Sequence, residues 1–492
     1  MGSESRKQTL LFLAHPLTGH ITPTLRIASH LSSLGHNVYF LGPTSHEPRI
    51  KSAGCIFLPL LDSADIDDLT YYAPDKTSSS DSDADWQSRA LVDFERIWIS
   101  TIPDEFKSLT AAISHITTKY SADHYPPLDL AGHLTIISEA MFFGILPLFL
   151  NNEHHSKLKI KSVCLSIMVP FIRSPEVGPG FCDSLPFLSD RALQLERAKQ
   201  QWEVWEEKTA HLSRLLDAKL VEAGASTTGI IADHGPFLSG VNYTLGHVKI
   251  LQLGVPSFFY PRQQEESRGR ERGEDGGWPA NFKFIGVLPP ATEPAKTGWN
   301  NLPVWWDEIK SAATATTKKI VVVAQGTVEV DPHDLIIPTI SAMSSPLQKD
   351  VLVVAILGRK GATLPKSFKL PDNARVTDYL HYDAVLPYAD AWVHNGGYGA
   401  VQHGIAHGVP MVVTGEGQDK ADNAKRVAWS GIGVNLGAVR PEVERVKEAL
   451  EAVLYDQGYR KRVKELQEES NKLDCLRLAE EEILAVAEQE EA

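Results

Sequence analysis

The sequence predicts an α/β protein made of two units, each built around a parallel sheet. Three observations carry this. The apolar run Thr9 to Ala14, a loop, a helical pattern and the apolar run Val38-Tyr39-Phe40-Leu41 together form a strand–helix–strand unit. The run Lys319-Ile320-Val321-Val322-Val323-Ala324 restarts the same alternation well past the middle of the chain. At 492 residues the chain is too long for one ordinary core.

Taken in order, the first strand is followed by a loop from His15 to His20. A helix is then expected over Thr22 to Leu34, with Leu25, Ile27, Ala28 and Leu31 on its apolar face and Gly35 ending it. Asp62 to Asp85 is acidic and Ser-rich and reads as a long surface loop. Leu134-Thr135-Ile136-Ile137 reads as a strand ending at Ser138-Glu139, and Leu193 to Ala223 as a long amphipathic helix. Gln263 to Gly277 is crowded with Arg, Glu and Gly and reads as a mobile loop. The expected division is a first domain over 1–280, a proline-containing connection over 281–318, a second domain over 319–470, and a final helix over 471–492 packing back on the first domain.

Composition excludes several classes. A formal charge of −14 disfavours nucleic acid or an anionic membrane as the main partner. The four cysteines, Cys55, Cys164, Cys182 and Cys475, have no paired spacing, which points away from a disulfide framework or a zinc cluster and towards a reducing compartment. No run is long enough for a signal peptide or a membrane span, so a cytoplasmic protein without stable membrane association is expected. Oligomeric state is not legible.

One stretch carries chemistry. Ala391-Trp392-Val393 ends a strand, His394-Asn395-Gly396-Gly397-Tyr398-Gly399 turns the chain, and a helix follows from about Tyr398 to His407. The open N-terminus of such a helix has unpaired N–H groups and partial positive charge, an anion site that needs neither lysine nor metal. Gly408 caps the helix and Val409-Pro410-Met411-Val412-Val413 returns as a strand.

With Pro16-Leu17-Thr18-Gly19-His20-Ile21-Thr22-Pro23 near the start and the run from His394 to Asn423, the chain resembles the family 1 UDP-glycosyltransferases of the GT-B fold, in the microbial natural-product branch. The resemblance implies two facing Rossmann-like domains, the acceptor on the first and the UDP-sugar on the second. It also implies transfer with inversion, and no cofactor or essential metal beyond the UDP-sugar donor substrate. The implied acceptor is a small aromatic, polyketide or phenolic molecule, with glucose the leading donor sugar and O-linkage favoured over C-linkage. Sterol or lipid glucosylation, a non-catalytic GT-B auxiliary protein and a nucleotide-sugar epimerase are the rival readings.

The resemblance also assigns residues. His20 takes the place of the general base, and Glu139 stands where the family has an orienting aspartate, with Asp123 and Asp129 as nearby alternatives. His394, Gly396, Gly397, Tyr398 and Gly399 take the diphosphate-binding positions, and Thr327 a further phosphate contact. Tyr379, with Leu380 beside it, replaces the family's uracil-stacking tryptophan. Asp419 and Lys420 fall on the sugar-binding pair, Lys420 replacing an amide with a group that only donates. Each position also has a plainer reading: a structural histidine, a solvated carboxylate, a tight turn, core packing at Tyr379. Leu165 to Leu188, Tyr71-Tyr72 and Trp86 are the stretches expected to shape an apolar acceptor pocket. His403 and His407, four apart, invite a metal reading, but His403-Gly404-Ile405-Ala406-His407 lacks a zincin's glutamate, and no metal is expected.

Overall fold

The computed structural model describes residues 7–72, 86–123, 134–151, 160–180, 187–226, 235–262, 277–291, 302–315, 318–326, 331–344, 350–415 and 417–489. The first sheet contains β1 (Thr9–Leu13), β2 (Asn37–Gly42), β3 (Ile56–Pro59), β4 (Leu134–Glu139), β5 (Lys161–Ser166), β6 (Lys249–Leu253) and β7 (Phe282–Gly286). Its order is β3-β2-β1-β4-β5-β6-β7. The second contains β8 (Lys319–Ala324), β9 (Val351–Ile356), β10 (Ala374–Thr377), β11 (Ala391–His394), β12 (Met411–Val413) and β13 (Gly433–Asn435), in the order β10-β9-β8-β11-β12-β13. The strands within each sheet pair in parallel. β1, β8 and β9 read as nearly unbroken apolar runs because helices cover both faces of a parallel sheet. Each sheet reverses its strand order once, between β1 and β4 and between β8 and β11, and crevices open at the carboxyl ends of such reversals.

The helices that matter below are α1 (Thr18–Ser33), α2 (Trp86–Asp93), α3 (Ile102–Asp123), α4 (Arg191–Glu222), α5 (Trp306–Ala315), α6 (Tyr398–His407), α7 (Lys420–Trp429), α8 (Gln457–Leu473) and α9 (Cys475–Glu488). α1 starts four residues earlier than the sequence predicts, which moves His20 from a loop into a helical first turn. The stabilising cap is not local. The carboxylate of Asp68 accepts the Thr18 N–H at 2.9 Å, while the hydroxyls of Thr22 and Thr24 donate to the carbonyls of Thr18 and His20 at 2.7 and 2.8 Å.

The 281–318 stretch is more than a connection. Phe282–Gly286 is the seventh strand of the first sheet, and Trp306–Ala315 is a helix lying on β8. Short apolar Phe-Lys-Phe-Ile is a strand signal that the neighbouring prolines obscure. At the other end α8 lies against β7 and α6, and α9 covers β4 to β7 beside α1. Ile483 and Val486 of α9 share a core with Leu10 and Phe12 of β1. Glu482 pairs with Lys249 at 2.9 Å and also with Lys283. Gln263 to Arg272 and the other residues to 276 lie outside the described residues. Among the described residues no helix is long and apolar enough to cross a membrane.

Ile483 is fully buried, so Ile483→Ala is expected to cost about 2–5 kcal/mol through the cavity it leaves. Urea denaturation of the full chain checks this; a loss below about 0.5 kcal/mol, the range of surface substitutions, would mean α9 is not part of the first domain's core.

Candidate active site

The strand-order reversal of the first sheet places two residues side by side. β1 and β4 pair with Leu13 opposite Ser138, so the chain leaving β1 and the end of β4 emerge at one edge. His20 projects from the first turn of α1, and Glu139 is the last residue of β4. Nδ1 of His20 lies 3.1 Å from Oε2 of Glu139, whose side chain is wholly buried. The approach is off the straight hydrogen-bond line, a looseness that catalytic pairs commonly show before substrate binds. The other carboxylate oxygen accepts the Met141 N–H at 3.0 Å, which fixes the group in place. Burial disfavours charge on His20, but the Glu139 carboxylate, with smaller help from Asp419 and Asp68, outweighs it and holds the imidazole above its ordinary value. The longer side chain of glutamate therefore reaches the imidazole.

His15 behaves in the opposite way. It is fully buried, its Nε2–H donates to the Ile97 carbonyl at 2.9 Å, and burial followed by the neighbouring His20 pushes it well below its ordinary value. It stacks on Trp98 at 4.8 Å and meets His20 edge-on at 5.4 Å. Trp98 belongs to a π-helical turn, Phe94–Ile99, that continues α2, with Ser100 N–H bonding to the Glu95 carbonyl at 2.9 Å. Such a widened turn re-aims side chains and recurs at functional sites. Behind it Glu105 is buried, its carboxyl accepting the Gly144 N–H at 2.7 Å, and desolvation pushes it up to about 8.

His20 opens on a solvent-connected cleft between the domains. Leu17, Ala90, Phe94, Trp98, Met141 and Met168 give it an apolar wall, with Asp93 at its edge. Asp93 accepts the hydroxyls of Tyr71 and Tyr72, each at 3.2 Å. The second domain contributes Gln418 and Asp419.

The second sheet repeats the arrangement. His394 ends β11, next to β8 at the reversal, and is buried. Its Nδ1 accepts the Gly396 N–H at 3.1 Å, so the ring proton sits on Nε2. That Nε2 has no protein partner among the described residues, and burial, then the charge of His403, push the imidazole down to about 3. His394 is thus a neutral donor. Gly396 has φ +85°, and a Cβ there would meet the Thr414 carbonyl at 2.7 Å and the Lys420 carbonyl at 3.0 Å. Gly399 faces open space instead, and a Cβ at Gly397 would make only an ordinary contact with Asn395 Oδ1 at 3.8 Å, so a ligand can approach the backbone at the start of α6. Asn423 donates to the Gly396 carbonyl at 2.9 Å and to Asp419 at 3.0 Å, tying the turn to α7.

Several residues read from the sequence are placed differently. Tyr398 opens α6 as read, while its side chain turns to the first domain, its hydroxyl donating to the Leu253 carbonyl at 2.5 Å. Lys420 is buried at the start of α7, and Gln418, at φ +49°, stands beside Asp419 on the cleft wall in its stead. Leu380 is core; Tyr379 is 49% exposed, so its ring is not core packing. Among the described residues of the stretch Leu165 to Leu188, only Met168 lines the cleft beside His20. Thr327 and Asp129 lie outside the described residues, as do the side chains of Asp123 and Trp86. Asp93, Phe94, Trp98 and Gln418 were missed. The α2 pattern of apolar residues announces only a helix, because the π turn that points it at His20 has no local sequence mark.

Comparison with known proteins places this geometry. Residues 345–475 match the family model "Erythromycin biosynthesis protein CIII-like, C-terminal domain". The chain is 31% identical over 491 residues to UDP-glucosyltransferase A1 of Starmerella bombicola, covering 99% of this chain and 94% of that protein. It is 30% identical over 481 residues to UDP-glucosyltransferase 1 of Beauveria bassiana, covering 96% and 94%. In fold it is similar to the crystal structure of the glycosyltransferase of kitacinnamycin, with a TM-score of 0.63, 19% identity and coverage of 97% of this chain and 98% of that one. The chain belongs to the family 1 UDP-glycosyltransferases of the GT-B fold, in the microbial branch. It is a UDP-dependent glycosyltransferase and moves a sugar from a UDP-sugar.

Gly396→Ala tests the turn. The added Cβ strains a left-handed backbone and crowds two carbonyls, so UDP affinity is expected to fall at least tenfold by calorimetry. Unchanged affinity would mean that the turn does not shape the donor site.

Proposed function

We propose that the protein transfers a hexose, glucose by preference, from its UDP-sugar to a hydroxyl of a small apolar aromatic acceptor, with His20 as general base and inversion at the sugar. The observation that carries this is the position of one imidazole. Its Nδ1 is held by Glu139 while the rest of the ring borders a cleft with an apolar wall on one side and Gln418-Asp419 on the other.

In this reading the acceptor lies on Phe94, Trp98 and Met168. Its hydroxyl proton passes to Nε2 of His20 as its oxygen bonds to the anomeric carbon, and the bond from that carbon to the diphosphate oxygen breaks on the opposite face. Glu139 stabilises the imidazolium and fixes its tautomer. Negative charge growing on UDP is met by Nε2–H of His394 and by the N–H groups at the start of α6, fixed before reaction. Asp419 and Gln418 supply an acceptor and an amide for the sugar hydroxyls, which restores the donor-and-acceptor capacity that Lys420 alone lacks. The exposed ring of Tyr379 is available to stack on the uracil. The name shared by the relatives, UDP-glucosyltransferase, supports glucose as the sugar.

The test is UDP release from UDP-glucose with and without phenolic acceptors. His20→Ala is expected to lower acceptor-dependent release about 10²–10⁴-fold with UDP affinity kept; an unchanged rate would sink the base assignment. The acceptor site has its own check. Trp98 lines the cleft, and its buried Nε1–H has no partner among the described residues. Trp98→Phe is expected to raise acceptor KM by about 2–10-fold, the worth of one hydrogen bond, and to leave UDP-glucose KM alone. A shift in donor KM instead would move the acceptor elsewhere.

A further inference from the structure

We propose that Asp383, His403 and His407 form a binding site for one divalent transition-metal ion of the zinc type, separate from the residues that carry the transfer. The sequence offers two histidines four apart on α6 and no third ligand nearby. The fold supplies it from another element: Asp383 lies in the short helix Tyr382–Val385, packed against α6.

Both imidazoles converge on one carboxylate oxygen. Nδ1 of His403 and Nε2 of His407 each lie 2.9 Å from Oδ1 of Asp383, and the three donor atoms are all within 4.8 Å of one another. This is the one such cluster of three among the described residues. In a tetrahedral site with bonds of about 2.0–2.1 Å, neighbouring ligand atoms stand roughly 3.3 Å apart. An ion therefore needs the carboxylate to withdraw by a few tenths of an ångström, and the two imidazole nitrogens to adjust from a separation of at most 4.8 Å.

The surroundings suit an ion as well as the donors do. Two imidazole nitrogens and a carboxylate oxygen are the ligand set that favours zinc, nickel, copper or cobalt over calcium or magnesium. The second carboxylate oxygen is held by the Ala291 N–H at 2.9 Å, an outer contact of the kind that orients a metal ligand. Asp383 is wholly buried, whereas His403 is 30% exposed and gives a way in. His381 stands nearby, its Nδ1 3.8 Å from the other carboxylate oxygen, and water can complete the shell. Arg26 of α1 also faces Asp383 and opposes the ion's charge, so the site is weaker than its donors alone would make it.

The position gives the ion a structural part. Asp383 joins Ala291, where the chain leaves the first domain, to the helix whose start receives the diphosphate. An ion there staples the crossing to α6 without touching the reacting atoms.

The test uses the full chain stripped with chelator and titrated with Co²⁺, followed by Zn²⁺. The proposal expects a visible d–d absorption saturating at one Co²⁺ per chain, displaced by Zn²⁺, together with a Zn²⁺-dependent rise in Tm. His403→Asn and Asp383→Asn should each weaken Co²⁺ affinity at least tenfold. Circular dichroism identifies variants that keep the fold, and His403→Asn, at the exposed edge, serves if Asp383→Asn does not. Absence of a saturable Co²⁺ band in the wild type, or a band of unchanged affinity in a folded variant, would overturn it.

Discussion

The reversal of strand order in each parallel sheet is the constraint on which this molecule rests. A parallel strand delivers its carboxyl end to the same edge as its neighbours, and only at a reversal do the following connections diverge and leave a gap. In the first sheet that gap falls between β1 and β4 and brings together His20 and Glu139. In the second it falls between β8 and β11 and exposes the turn from His394 into α6. The two gaps face each other, and contacts such as Tyr398 to Leu253 and Asp419 beside His20 exist because they do.

Within that frame, environment rather than residue type sets each protonation state. His15 and His394 are buried and His20 is largely so, its side chain 13% exposed at the cleft, yet Glu139 raises His20 while burial lowers the other two. Removing water from an imidazole favours its neutral form; a fixed carboxylate within hydrogen-bond reach reverses that. The consequence is that identical side chains differ in proton affinity: His20 is held towards its charged form, His15 and His394 towards their neutral ones. Burial pushes Glu105, behind Glu139, up to about 8, which disfavours a second negative charge there.

Much of this was legible in the sequence because it is local. The β1–α1 unit, the turn at Gly396 and the cap at Gly408 follow from apolar runs and glycines, and the structure has the helix from Tyr398 to His407 as read. What escaped is what distant segments supply. Asp68 caps α1 across fifty positions and so advances the helix start past His20. Trp98 and Phe94 reach the cleft through a π turn, and Asp383 meets His403 and His407 only when two short elements pack. Gln418, at φ +49°, lines the cleft beside Asp419 while Lys420 is buried at the start of α7. Proline also misled after β7, where it hid a strand.

The central claim is that Glu139 raises the proton affinity of a His20 that must be neutral to act. The pH dependence of kcat/KM in the wild type and in Glu139→Gln addresses it most directly, since that ratio reports groups of the free enzyme. A base is active when deprotonated, so activity should fall as pH drops through its pKa. The account expects the wild-type acid limb above about 6.5, the ordinary imidazole value, and a limb displaced to lower pH in Glu139→Gln, alongside a lower plateau. An acid limb that stays where it was when the carboxylate is removed would contradict the account.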